Sequence, residues 1–268
     1  MVVHYQKVAG VTVHYHGGPI WGGDELIKAL YNKGGALVSF ARPDQIKKIA
    51  AIDCKLVLDN GAFSTWRKSN GAMSVDDWGL RWTKYYQFVQ LWYHRIEWYI
   101  IPDVIEGREE ENDALISSVP SVLMDKAVPV WHSVESIDRL IRLCKKFKRV
   151  AIGCCGEHVA IRSAAWNRRM DEAFHSVYIE NGLDVKLHGL RMLDGRALSQ
   201  YPFDSADSTN VAINTPKTKS RLPTITDKLH RVGILRASIE KVSPPTVAQW
   251  MASAPTRREV QLDMFEFC

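Results

Sequence analysis

Cysteine is scarce and unpatterned in this chain. The five residues Cys54, Cys144, Cys154, Cys155 and Cys268 are an odd number with no Cys-x-x-Cys pair. Neither a disulfide framework nor a standard zinc site follows from them. No apolar run reaches the roughly 18 residues of a membrane-spanning helix. The opening MVVHYQKVAG lacks the basic-then-apolar layout of a signal peptide, which reads as a cytoplasmic protein. Low-complexity segments and long linkers are also missing, so residues 1–268 read as one domain. Charge of one sign is only slightly in excess, 35 Lys and Arg against 30 Asp and Glu, a net +5. That balance permits a polyanionic partner without requiring one. Apolar residues, at 46%, suffice for a sizeable core and exclude a disordered chain.

What the chain does have is a rhythm of short Val- and Ile-rich runs between amphipathic stretches. Eight runs read as strands: Val11–His16, Ala36–Phe40, Lys55–Asp59, Glu97–Asp103, Ala127–His132, Arg149–Gly153, Val185–Leu190 and Phe203–Asp207. Between them, Asp24–Tyr31, Val75–Tyr93, Arg108–Ser117, Ser136–Phe147, Ile161–Asn181 and Pro223–Ala237 read as helices. Ser136–Phe147 carries Ile137, Leu140, Ile141 and Cys144 at the spacing of one helical face, with lysines at its C-terminal end. Alternating strands and helices call for a parallel sheet, and eight units of this length suit a (β/α)8 TIM-type barrel. An open doubly wound sheet is the runner-up, but no Gly-x-Gly-x-x-Gly follows any strand.

A barrel places its chemistry at the C-terminal ends of its strands. Those ends are polar here: His16, Asp59-Asn60, Asp103, His132, Gly153, His188-Gly189 and Asp207. Each residue has a plain alternative, since an Asp after a strand often forms a turn or caps a helix. A lone strand-end His is often structural. Three carboxylates and several histidines in one register are harder to explain that way. Paired carboxylates suit chemistry at an anomeric carbon, one as nucleophile and the other moving protons.

These residues also carry a resemblance. Leu58-Asp59-Asn60-Gly61-Ala62-Phe63 resembles the DSGGF motif of the tRNA-guanine transglycosylase superfamily, and Ile152-Gly153-Cys154-Cys155-Gly156-Glu157 resembles its GGLAVGE loop. Leu187-His188-Gly189-Leu190 sits where that family has a Met-Gly strand end. Phe203-Asp204-Ser205-Ala206-Asp207 is similar in spacing to its I-D-M-F-D strand. The DNGAF form, the Asp-Ser-Thr after the last strand and the short C-terminus most resemble the DpdA-type DNA branch of phages and bacteria.

The resemblance implies a DNA guanine transglycosylase that exchanges guanine for a 7-deazaguanine base such as preQ0, with no cofactor. It implies Asp207 as nucleophile, with Asp204 as rival, and Asp59 as general acid/base. Asp204 lies three residues before Asp207, and odd spacing in a strand points its side chain to the opposite face. Asp103 is expected to accept hydrogen bonds from the purine edge, supported by Asn60. Phe63 is expected to stack on the base, Gly153 and Gly189 to admit it closely, and His132, His188 and Glu157 to complete the pocket. His132 departs from the family's Gln, and Ile152 falls on one of the loop's glycines. The family's C-terminal zinc subdomain has no counterpart here, so no metal is expected.

Expected partners are DNA and the small base; a homodimer or helper protein stays open, and no membrane is involved. Lys217, Lys219 and Arg221 follow the Asp207 strand and suit phosphate contacts, although so short a run also suits a solvated loop. Arg42, Arg67, Lys68, Arg168 and Arg169 are further cations near the mouth. Trp66 and Trp131 could stack on bases or belong to the core. Alternatives are a tRNA-directed enzyme, a carboxylate-pair glycoside hydrolase, or a non-catalytic nucleic-acid-binding barrel.

Overall fold

Parallel strands covered on both faces need apolar residues at nearly every position, and short unbroken apolar runs supply them. The computed structural model describes residues 14–69, 75–216, 222 and 224–253. Lys217, Lys219, Arg221 and the tail Met264–Cys268 lie outside the described residues, as do Val11–Val13 and the side chains of Trp66, Arg67 and Lys68.

Nine parallel strands form the sheet. They are β1 (His14–Gly17), β2 (Gly35–Ser39), β3 (Lys55–Asp59), β4 (Tyr99–Ile100), β5 (Ala127–Val128), β6 (Val130–His132), β7 (Arg149–Gly153), β8 (Lys186–Gly189) and β9 (Ser205–Ser208). Their order is β5-β4-β3-β2-β1-β9-β8-β7-β6. The two ends of that row are consecutive in sequence, so the sheet curls into a TIM-type α/β barrel. Eight expected strands become nine because Ala127–His132 is split. Pro129 has no N–H to give, so β5 pairs with β4 and β6 pairs with β7.

Ten helices among the described residues wrap this barrel: α1 (Asp24–Tyr31), α2 (Ile46–Ala50), α3 (Ala62–Ser69), α4 (Val75–Trp92), α5 (Glu109–Ser117), α6 (Ile137–Lys146), α7 (Ala164–His175), α8 (Gly195–Gln200), α9 (Asn210–Asn214) and α10 (Lys228–Glu240). Their starts are chemically set. Ser136, Ser163 and Asp227 each accept a backbone N–H from the first turn of α6, α7 and α10. The Asp227 cap moves α10 about five residues beyond the expected start at Pro223. The stretch Ile161–Asn181 is not one α-helix, because α7 passes into a π-turn over Ser176–Glu180. No helix among the described residues is long and apolar enough to cross a membrane.

Side chains alternate across the strands and divide the core in two. Tyr15, Leu37, Val57, Trp98, Ile100, Val128, Val130 and Ala151 fill the barrel interior. Ala36, Val38, Leu56, Leu58, Tyr99, Trp131, Val150, Ile152, Leu187 and Ala206 face the helix layer. Trp131 is therefore core, with its indole N–H given to Ser136 O at 2.9 Å.

Candidate active site

Asp59 ends β3 and stands in register beside Ser39 of β2. Its Oδ2 accepts the Gly61 N–H at 3.0 Å. That turn needs Gly61, whose φ of +75° and whose closeness to Ala41 leave no place for a Cβ. Burial raises the Asp59 pKa from 3.8 to about 6, helped by the nearby Asp207 and Asp103 charges and opposed by the Ser39 and Gly61 hydrogen bonds. The carboxyl can hold or release a proton near neutral pH. Arg81 of α4 faces the same turn, giving an N–H to Asn60 O at 3.2 Å.

Asn60 and His132 both serve Asp103. The Asn60 amide nitrogen donates to Asp103 Oδ1 at 2.6 Å and to Ile101 O at 2.7 Å, while its oxygen accepts the Ala62 N–H. His132 Nε2 lies 2.9 Å from Asp103 Oδ2. Burial disfavours a charged His132, but Asp103, Cys155 and Glu135 outweigh it and push its pKa well above the ordinary imidazole value. A buried network holds this histidine in place. Glu135 accepts the His132 backbone N–H at 2.7 Å and pairs with the fully buried Arg139 at 2.6 Å. Sequence reasoning missed Glu135 and Arg139; their i, i+4 spacing across the start of α6 was the available signal.

Asp207 lies on β9 beside Tyr15 of β1 and points into the barrel. Its Oδ1 accepts the Arg191 backbone N–H at 2.9 Å and lies 3.3 Å from His188 Nε2. Asp204 sits just before β9, at the opposite end of the barrel, ion-paired to Arg149 at 2.6 Å. The two rivals are thus separated, and only Asp207 shares the mouth with Asp59 and Asp103.

The remaining expected residues divide. Phe63 lies at the mouth, and the Arg191 guanidinium covers one face of its ring at 4.0 Å. Arg191, a left-handed residue at φ 59°, gave no sequence signal. His188 is fully buried beneath Asp207. A Cβ at Gly153 would meet the His132 ring at 3.0 Å, and one at Gly189 would meet Met192 at 2.9 Å. Both glycines therefore make room for neighbouring side chains. Glu157 is exposed in the turn Gly156–His158 and lines an open cleft of about 450 Å³ with Arg168 and Arg169. His16 faces outward and meets Glu240 of α10 at 3.1 Å, the structural role expected of a lone histidine. Among the described residues no group of three or more His, Cys, Asp or Glu could hold a metal ion.

No protein-family model matches the chain. No curated protein matches it either. Among solved structures, a chain of ligand-free tryptophan synthase from M. tuberculosis matches at TM-score 0.43 and 10% identity, covering 86% of this chain and 94% of that one.

Proposed function

We propose that this barrel is a DNA guanine transglycosylase that replaces guanine with a 7-deazaguanine base. The observation that carries the reading is the convergence of three carboxylates at the mouth, with the Asp59 pKa raised to about 6 by burial and by the charges of Asp207 and Asp103. Asp207 attacks C1′ of the deoxyribose, forming an ester bond while the C1′–N9 bond to guanine breaks. Asp59 gives its proton to the departing purine and takes the N9 proton of the incoming base. The new base then displaces Asp207 from C1′, so no water, oxidant or nucleotide is consumed. Asp103, oriented by Asn60 and His132, offers acceptor oxygens suited to a guanine N1–H and exocyclic amine. DNA as the polymer rests on the sequence resemblance, and a base in a duplex must first be flipped out at a cost of a few kcal/mol.

The test supplies preQ0 with guanine-labelled DNA or labelled tRNA. Label release from DNA is expected, abolished in Asp207→Ala and slowed about 10²- to 10⁴-fold in Asp59→Asn. Release from tRNA alone, release without base incorporation, or none from either polymer overturns the reading.

A further inference from the structure

The polar groups inside the barrel form a directed chain. Arg149, at the start of β7, gives one N–H to Asp204 and places another Nη1 contact on Ser205 Oγ at 2.9 Å. A guanidinium can only donate. The Ser205 hydroxyl, accepting from Arg149, keeps its own proton to give and meets His188 Nδ1 at 2.8 Å, while the carboxylate at the ring's other nitrogen can only accept. An imidazole that accepts at Nδ1 carries its proton at Nε2, which faces Asp207 Oδ1 at 3.3 Å. The Arg191 N–H falls on the same oxygen. Tyr15 and Trp98 pack edge-on against the imidazole, with centroids 5.9 and 4.9 Å away, and prevent the ring from turning.

We propose that His188 is a positioning residue for Asp207: the chain Arg149, Ser205, His188 delivers an Nε2–H to Oδ1 and leaves Oδ2 as the attacking oxygen. The inference rests on the transglycosylase reading for its consequence, but not for its geometry. Burial lowers the His188 pKa against the pull of Asp207, which favours the neutral ring whose single proton the geometry directs. The charged groups facing the chain are Arg149 and Asp204 below, Asp207 above, and Asp59 across the mouth from Asp207.

Two measurements test this separately. In 15N-histidine NMR spectra of the whole protein, His188 is expected as the neutral Nε2–H tautomer at pH 7, with mixed tautomers in Ser205→Ala. An Nδ1–H tautomer or an imidazolium in the wild type overturns the proposal whether or not the protein exchanges bases. In the exchange assay, His188→Leu is expected to lower kcat about 10²-fold, the scale of a misplaced reacting group, at unchanged KM for DNA. His188→Gln, which keeps an N–H near the same place, is expected to recover most of that loss. A rise in KM at constant kcat, or equal loss in both variants, overturns the positioning role. An inactive wild type with the Nε2–H tautomer present removes the proposed function and leaves the chain standing.

Discussion

Asp59 is expensive for the folded state to keep ionised, and the sign of that cost can be worked out. Its folded pKa, about 6, lies above the ordinary 3.8, so the folded protein holds this proton more tightly than the unfolded chain does. The stabilisation from that proton is complete below pH 4 and is lost as pH rises through 6. Asp59→Asn, which never ionises, is expected to be the more stable protein above pH 6, by at most about 3 kcal/mol. Unfolding midpoints in denaturant at pH 7 and pH 4 check this: the gap should close at the lower pH. At this scale the sequence was informative about residue types and blind to direction. Asp59, Asp103 and Asp207 were legible because acids interrupt apolar runs at strand ends. Spacing alone did not show that His16 points away from the barrel or that His188 lies under Asp207. The inward or outward choice depends on strand register, which pairing partners distant in sequence decide.

Among the elements, α10 packs on α1 through buried Val232 and Leu235 and reaches β1 through the Glu240 carboxylate. Glu240 accepts from His16 at 3.1 Å and Arg236 at 2.7 Å. Burial alone would raise its pKa, but these two partners outweigh it and hold it down at about 2, against 4.5 ordinarily. A depressed carboxylate stabilises the fold above its unfolded pKa, and the effect is lost as pH falls through the folded one. Glu240→Gln is therefore expected to lower stability by about 1–3 kcal/mol at pH 7, with the difference shrinking from pH 5 toward pH 2. Thermal melts across that range would show it; a difference independent of pH contradicts the ion-pair account. Strand positions were readable because strands buried on both faces are unbroken apolar runs. Four short helices, α2, α3, α8 and α9, were missed, whereas the eight-residue α1 was read because a Gly-Gly turn announces it. The four span too few turns for a 3.6-residue period to stand out.

For the molecule as a whole, the net charge of +5 becomes a statement about salt. If the proposed DNA substrate is held through Lys217, Lys219 and Arg221, each contact displaces about one counterion. Replacing all three with Gln is expected to flatten the slope of log binding constant against log salt by up to about 3. The weakening should be similar for every DNA sequence, because phosphate contacts carry no sequence information. Binding titrations at several salt concentrations check it, and an unchanged slope removes these residues from the interface.

The interruption at Pro129 has a further consequence. Because β5 and β6 stand at the two ends of the hydrogen-bonded row, the ring is joined there by backbone covalent bonds, with no ladder between those two strands. The free sides of β5 and β6 meet at this buried link, so a break in the chain there would leave both without a covalent tie. The closure of this ring is thus partly covalent: at one seam the chain itself, and not a ladder of hydrogen bonds, holds neighbouring strands together.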